Sequence, residues 1–258
     1  MNLPSVNIKQ LLEAGVHLGH KTFRWNPKMS KFIFGSKDSI HIIDLVQTLE
    51  MTKSALQEIH KCVASGGKIL FVSTKKQASD AISTLAKDTG QYYVSHRWLG
   101  GMLTNWETVS NSLNSLNSLN KKINNQNLKL KKKEILQMNR QIEKIEKYLG
   151  GLKEMGTVPQ AIFVVDVNKD AIAVSEANKL KIPVIAILDT NSSPQGIDYP
   201  IPGNDDSRKS IELICSLISK SMLKNKKKND FKEKTKKSTI EIPTKKEVKK
   251  KLNKEKKK

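Results

Sequence analysis

Ile69-Leu70-Phe71-Val72-Ser73 is a short, unbroken apolar run rich in β-favouring side chains, and Thr74-Lys75-Lys76-Gln77 follows it with the opening of a helical pattern. Ala161-Ile162-Phe163-Val164-Val165-Asp166 and Val184-Ile185-Ala186-Ile187-Leu188-Asp189 repeat the design, each leading into polar residues. A strand with one wet face alternates apolar and polar positions, whereas a strand apolar throughout is covered on both faces, as in a parallel sheet. Gln91–Ser95 and the segment around Ile197–Ile201 are weaker strand candidates. Amphipathic helices are expected near Leu45–Ala64, Lys76–Asp88, Lys169–Lys179 and Ser207–Leu223. Strand and helix alternate, which predicts an α/β fold: an open, mostly parallel sheet with helices on both faces.

One segment breaks the alternation. Apolar residues fall at Trp106, Val109, Leu113, Leu116, Leu119 and Ile123, and again at Ile135, Met138, Ile142, Ile145, Leu149 and Leu152. These steps of three and four are the rhythm of a coiled-coil seam. Asn124-Asn125-Gln126-Asn127 lies between the halves and is polar and helix-poor. The pattern predicts an antiparallel helical hairpin over residues 104–155, inserted into an α/β domain made of 1–103 and 156–223. Each arm of about 20 residues would reach roughly 30 Å.

The chain has 258 residues, with 46 Lys and Arg against 25 Asp and Glu, a formal charge of +21. Residues 224–258 hold 17 Lys and 5 acids, net +12, leaving 29 basic and 20 acidic residues, net +9, on the body. The tail has few apolar residues and no persistent period, so it is expected to be disordered and to meet RNA by counterion release rather than by reading sequence. An excess of this size points to a polyanionic partner. Without a long apolar span or a leader pattern, the expectation is a soluble, unsecreted chain. Cys62 and Cys215 sit in apolar helical patterns, as packed thiols do.

Doubly wound sheets often bind nucleotides, but no Gly-x-Gly-x-x-Gly or Gly-Lys-Ser/Thr loop occurs here. Gly100-Gly101 and Gly150-Gly151 flank the hairpin and read as backbone hinges. Asp166, Asp189, Asp205 and Asp206 could crowd one edge of the sheet, where metal binding or acid–base work is conceivable; helix capping is the favoured explanation, as it is for Asp44. His17 and His20 lie three apart with no ligand set at diagnostic spacing, so packing or a hydrogen bond to RNA is expected. No metal or cofactor site is expected.

Cations interleaved with aromatics mark His17-Leu18-Gly19-His20-Lys21-Thr22-Phe23-Arg24-Trp25-Asn26-Pro27-Lys28-Met29, which reads as an extended surface segment. Lys21, Arg24, Lys28 and nearby Lys31 suit phosphates, and Trp25 and Phe23 suit stacking. His96 and Arg97, next to Trp98, form a second candidate. Lys121, Lys122, Lys131, Lys132 and Lys133 form a third at the hairpin tip.

The residues of this stretch resemble the universal small-subunit ribosomal protein S-two family in its bacterial form. The resemblance spans nearly all of residues 5–223. It is carried by Leu11 to His20, by Arg24-Trp25-Asn26-Pro27-Lys28-Met29, and by Ile33-Phe34-Gly35 with Ile40-His41-Ile42-Ile43-Asp44-Leu45. It continues through Arg97-Trp98-Leu99-Gly100-Gly101-Met102-Leu103-Thr104-Asn105-Trp106, Leu149-Gly150-Gly151-Leu152, Asp189-Thr190-Asn191-Ser192 and Ile201-Pro202-Gly203-Asn204-Asp205-Asp206. It implies a flavodoxin-like, Rossmann-like domain with a protruding hairpin, no catalytic activity, and a cytoplasmic, ribosome-bound protein. It also implies binding to small-subunit rRNA and neighbouring ribosomal proteins, late entry into assembly, and docking of protein S-one, which captures messenger RNA. The Asn/Ser-rich first hairpin arm and the Lys-rich tail depart from many relatives, so contacts there transfer least.

Overall fold

A computed structural model describes residues 4–124 and 132–222. Five parallel strands, β4 (Ile69–Val72), β5 (Tyr92–Val94), β6 (Ala161–Val164), β7 (Val184–Leu188) and β8 (Tyr199–Pro202), form one sheet in the order β5-β4-β6-β7-β8. The order reverses between β4 and β6, as in flavodoxin-like sheets. The three apolar runs become β4, β6 and β7, every residue of which is buried. Alternate side chains go to opposite faces. Phe71, Phe163 and Ile185 join a core with Leu56, Ile82 and Ile214, while Leu70, Ile162 and Ala186 join a second core with Phe32, Leu103 and Ala177. Burying each large apolar side chain stabilises the fold by about 1.5–3 kcal/mol. Pro200 and Pro202 are tolerated in β8 because it is an edge strand.

The helices are α1 (Ile8–Glu13), α2 (Leu45–Ala64), α3 (Lys76–Thr89), α4 (Trp106–Asn124), α5 (Lys132–Leu149) and α6 (Ala171–Lys179), with residues 208–222 forming α7. As the sequence suggests, Asp44 caps α2: its Oδ1 accepts from the Val46 amide at 2.9 Å, worth about 1 kcal/mol. Helix α4 packs along α5. Trp106, Val109, Leu113, Leu116, Leu119 and Ile123 are buried or half-buried, whereas Leu136, off the seam, is exposed. Residues 125–131, which hold most of the expected hairpin turn, and the Lys-rich tail 224–258 lie outside the described residues. Cys62 and Cys215 are free thiols, and burial, reinforced by the Glu212 carboxylate, pushes Cys215 up to about 12, which keeps it inert.

The extended segment of the sequence reading is more ordered than expected. Strands β1 (Leu18–Lys21), β2 (Ile33–Lys37) and β3 (Ile40–Ile43) form a separate antiparallel sheet in the order β1-β3-β2. Lys37 pairs with Ile40 across Asp38 and Ser39, whose φ values of 52° and 60° are what a type I′ hairpin turn demands. That turn usually announces itself with Asn-Gly or Asp-Gly; Asp-Ser does not. Between β1 and β2 the chain makes two 3₁₀ turns, Thr22–Arg24 and Pro27–Phe32, and the second buries Met29 and Phe32.

Candidate nucleic-acid interface and the charged edge of the sheet

Asn26 donates its amide to the Thr190 carbonyl at 2.8 Å, and Lys28 Nζ donates to Gln195 Oε1 at 2.7 Å, tying the segment after β1 to the loop after β7. Trp25 tilts against His41 with ring centroids 5.4 Å apart, and the Arg24 guanidinium lies 5.5 Å from the Phe23 centroid. Lys21, Arg24, Lys28 and Lys31 are all exposed. Phe23 is 74% exposed and Phe34, on β2, is 80% exposed. Exposed Phe23 and Phe34 and the unburied cations, carried on β1, β2 and the two 3₁₀ turns between them, are side chains of the kinds suited to stacking and phosphate contact.

The other candidates divide. His96 and Arg97 are exposed, but Trp98 beside them is buried at 6% exposure and donates its Nε1 to Glu176 Oε1 at 3.1 Å, so it serves packing and not stacking. Lys121 and Lys122 lie in the last turn of α4, and Lys132 and Lys133 open α5; all four are exposed. Lys131 lies outside the described residues.

The carboxylates meet at the C-terminal edge of the sheet, as the strand-end positions of Asp166 and Asp189 imply, but capping is not what Asp205 and Asp206 do. Ser207 takes that role: its Oγ accepts from Ser210 N at 3.4 Å. Asn204 Oδ1 accepts from the amides of Asp206 and Ser207 at 2.8 and 2.9 Å and shapes the preceding turn. Asp205 and Asp206 instead receive Lys75 Nζ at 2.8 and 2.6 Å, with Asp166 at 3.5 Å. His20 comes in from β1, its Nδ1 3.0 Å from Asp189 and its Nε2 3.3 Å from Asp206. With a carboxylate at each ring nitrogen, the imidazolium is the favoured form.

Burial sets the energetics here. The hydrogen bond to Asp189 lifts the His20 pKa above its ordinary value against a smaller desolvation effect. Desolvation opposes the charge on Lys75, but hydrogen bonds to Asp205 and Asp206 override it and raise its pKa. Asp205 is pushed up to about 7, first by burial and then by the Asp189 carboxylate, against the pull of Lys75. Its Oδ2 is buried without a partner among the described residues. Four carboxylates thus face two cations. His20, Asp189, Asp205 and Asp206 each present one donor atom, all within 4.8 Å of one another, a set of imidazole and carboxylate groups able to hold a divalent cation. Its three carboxylates are among those expected at one sheet edge, but local spacing hides His20, which comes from β1.

Gly19 lets the network form. A Cβ there would lie 2.6 Å from Thr190 Cγ2, and the next amide, that of His20, donates to Thr190 Oγ1 at 2.9 Å. Only glycine allows β1 so close to the loop that carries Asp189.

Most of the chain is similar to ribosomal proteins. A family model described as ribosomal protein S2 matches residues 11–225. The small ribosomal subunit protein uS2 of Phenylobacterium zucineum is 54% identical over 223 residues, which cover 86% of this chain and 76% of that protein. Its counterpart in Acidiphilium cryptum is 51% identical over 86% of this chain and 87% of its own length. That of Caulobacter vibrioides is 53% identical over 86% and 83%. Each of these relatives is named as a protein of the small ribosomal subunit. By the match of its family model over most of its length and by identities above half, the chain belongs to the ribosomal protein S2 family.

Proposed function

We propose that this chain is a structural, ribosome-bound component of the small ribosomal subunit in the cytoplasm. It binds small-subunit rRNA, contacts neighbouring ribosomal proteins, and supports subunit assembly and the docking of protein S-one. The observation that carries the RNA-binding part is the exposed surface of Lys21, Arg24, Lys28 and Lys31 with Phe23 and Trp25 among them. Cations there neutralise phosphates and fix register, while the aromatic rings supply contact that does not depend on sequence. The resemblance to the family supports the role of S-one and the assembly role. Among the described residues no helix is long and apolar enough to cross a membrane.

Sucrose-gradient fractionation of a lysate tests the reading. The protein is expected to sediment with small subunits at physiological salt, and the double variant Arg24→Ala, Lys28→Ala to incorporate less while melting within a few degrees of the parent. A chain wholly in the soluble fraction overturns the reading. Parallel losses of stability and incorporation would make the segment a structural element instead.

A further inference from the structure

A second electropositive site lies at the base of the hairpin. Lys76 and Ser79 on the first turn of α3, His96 and Arg97 after β5, and Lys147 and Tyr148 on the last turn of α5 line a cleft of about 480 Å³. Clefts from about 300 Å³ upward accommodate small ligands or their parts. Three segments far apart in sequence each bring at least one basic side chain. The lining includes one carboxylate, Asp80, which also acts on Arg208. Among the described residues Lys76, Arg97 and Lys147 have no ion-pair partner. Lys75 makes the contrast: three carboxylates hold its ammonium, whereas the ammonium of the adjacent Lys76 is left for the cleft.

We propose that this cleft binds a phosphodiester of small-subunit rRNA, with Arg97, Lys76 and Lys147 around the phosphate, Ser79 donating its hydroxyl and Tyr148 offering a ring face to the attached nucleoside. The assignment rests on the RNA-binding reading above and adds a place to it. Arg, Lys and Ser are the side chains that contact phosphate oxygens, and an aromatic ring beside them suits an unstacked base. A site built from α3, the strand following it and the returning hairpin arm would also fix the hairpin's direction relative to the RNA.

The test measures binding of the full-length protein to small-subunit rRNA across a salt series. Arg97→Ala with Lys147→Ala is compared with a control pair, Lys53→Ala with Lys179→Ala, which removes the same charge from exposed positions elsewhere. The cleft pair is expected to weaken binding about 10- to 30-fold at physiological salt, and the control pair less than threefold. Ser79→Asp, which adds a negative charge without removing a cation, is expected to move affinity the same way. Equal losses in the two pairs, or none in either, overturn the cleft while leaving RNA binding in place. A cleft pair that binds RNA normally but fails to enter subunits assigns the cleft to an acidic segment of a neighbouring protein and overturns the RNA assignment. Absence of salt-dependent binding by the unaltered protein overturns both this proposal and the RNA-binding reading.

Discussion

Trp98 and Glu176, 78 positions apart, are joined by the indole Nε1–H donating to the Glu176 carboxylate at 3.1 Å. The same carboxylate accepts from the amides of Gly101, Leu103 and Thr104 at 2.7, 2.9 and 3.1 Å and from the Thr104 hydroxyl at 3.2 Å. One buried side chain on α6 thereby gathers the loop that leads into α4. Burial drives its pKa upward, but the hydrogen bonds from Trp98 and the three amides outweigh it and hold the carboxyl below its ordinary value.

Glu176→Gln is therefore expected to destabilise the protein by about 3 kcal/mol near neutral pH, since an amide nitrogen would face donors that need an acceptor. For a chain of this size that is roughly 6–12 °C in melting temperature. The carboxylate's contribution is fully present above the ordinary value of 4.5 and is lost as pH falls through the lowered folded value. The gap between parent and variant, measured by urea unfolding, should thus close in acid. A gap that persists unchanged once the carboxyl is protonated contradicts the assignment.

Two adjacent lysines offer a sharper contrast. Lys75 is 8% exposed and paired with three carboxylates, so Lys75→Met leaves like charges facing one another and is expected to cost about 3 kcal/mol. Lys76→Met removes an exposed ammonium with no ion-pair partner among the described residues, and stability should change by less than about 0.5 kcal/mol. RNA affinity should show the reverse emphasis at equal protein concentration, with Lys76→Met weakening it. Similar melting temperatures for the two variants would refute the account of the acidic edge.

The hairpin base depends on close approach. A Cβ on Gly151 would lie 2.1 Å from the Tyr93 carbonyl oxygen, whereas one on neighbouring Gly150 meets nothing within 4 Å. Gly151→Ala must push the base of the hairpin off β5 and is expected to cost about 2–3 kcal/mol. Gly150→Ala should be close to neutral. Thermal melts of the pair check this, and equal behaviour would show that the two glycines serve only as hinges, as their sequence suggests.

What could be read in advance follows from where each interaction sits along the chain. The runs that became β4, β6 and β7 declare two-sided burial in a few consecutive residues, and the seam of α4 and α5 declares itself by period. The weak strands β5 and β8 needed the sheet around them to be certain. The antiparallel sheet was hidden by its Asp38-Ser39 turn, which lacks the glycine that usually marks it. The crowding of Asp166, Asp189, Asp205 and Asp206 at one sheet edge was legible, but that Lys75 and His20 come in to pair with them was hidden because the cations lie far from those carboxylates in sequence. Nothing in the sequence neighbours of Glu176 foretells the loop that wraps it. Exposed cations were readable as types; which of them line a common cleft was not.

The charge of the tail can be separated from that of the body. Residues 224–258 carry a net +12 and the rest +9, so the tail holds the larger share of the excess with few apolar or aromatic residues to anchor a specific contact. A Lys-rich composition of this kind suits counterion release on any phosphate lattice, while the cations of Lys21 to Lys31 are held on folded backbone. A chain ending at residue 223 should therefore lose affinity for unrelated RNA and show a shallower dependence of log K on log salt, each phosphate contact removed lowering the slope by about 0.7–0.9. Its incorporation into small subunits should fall less than twofold. Salt series on an unrelated RNA, paired with gradient sedimentation of the truncated chain, provide both readouts. If incorporation collapses while the body still melts cooperatively at the parent's temperature, the tail makes a specific contact and the folded surface alone is insufficient for docking.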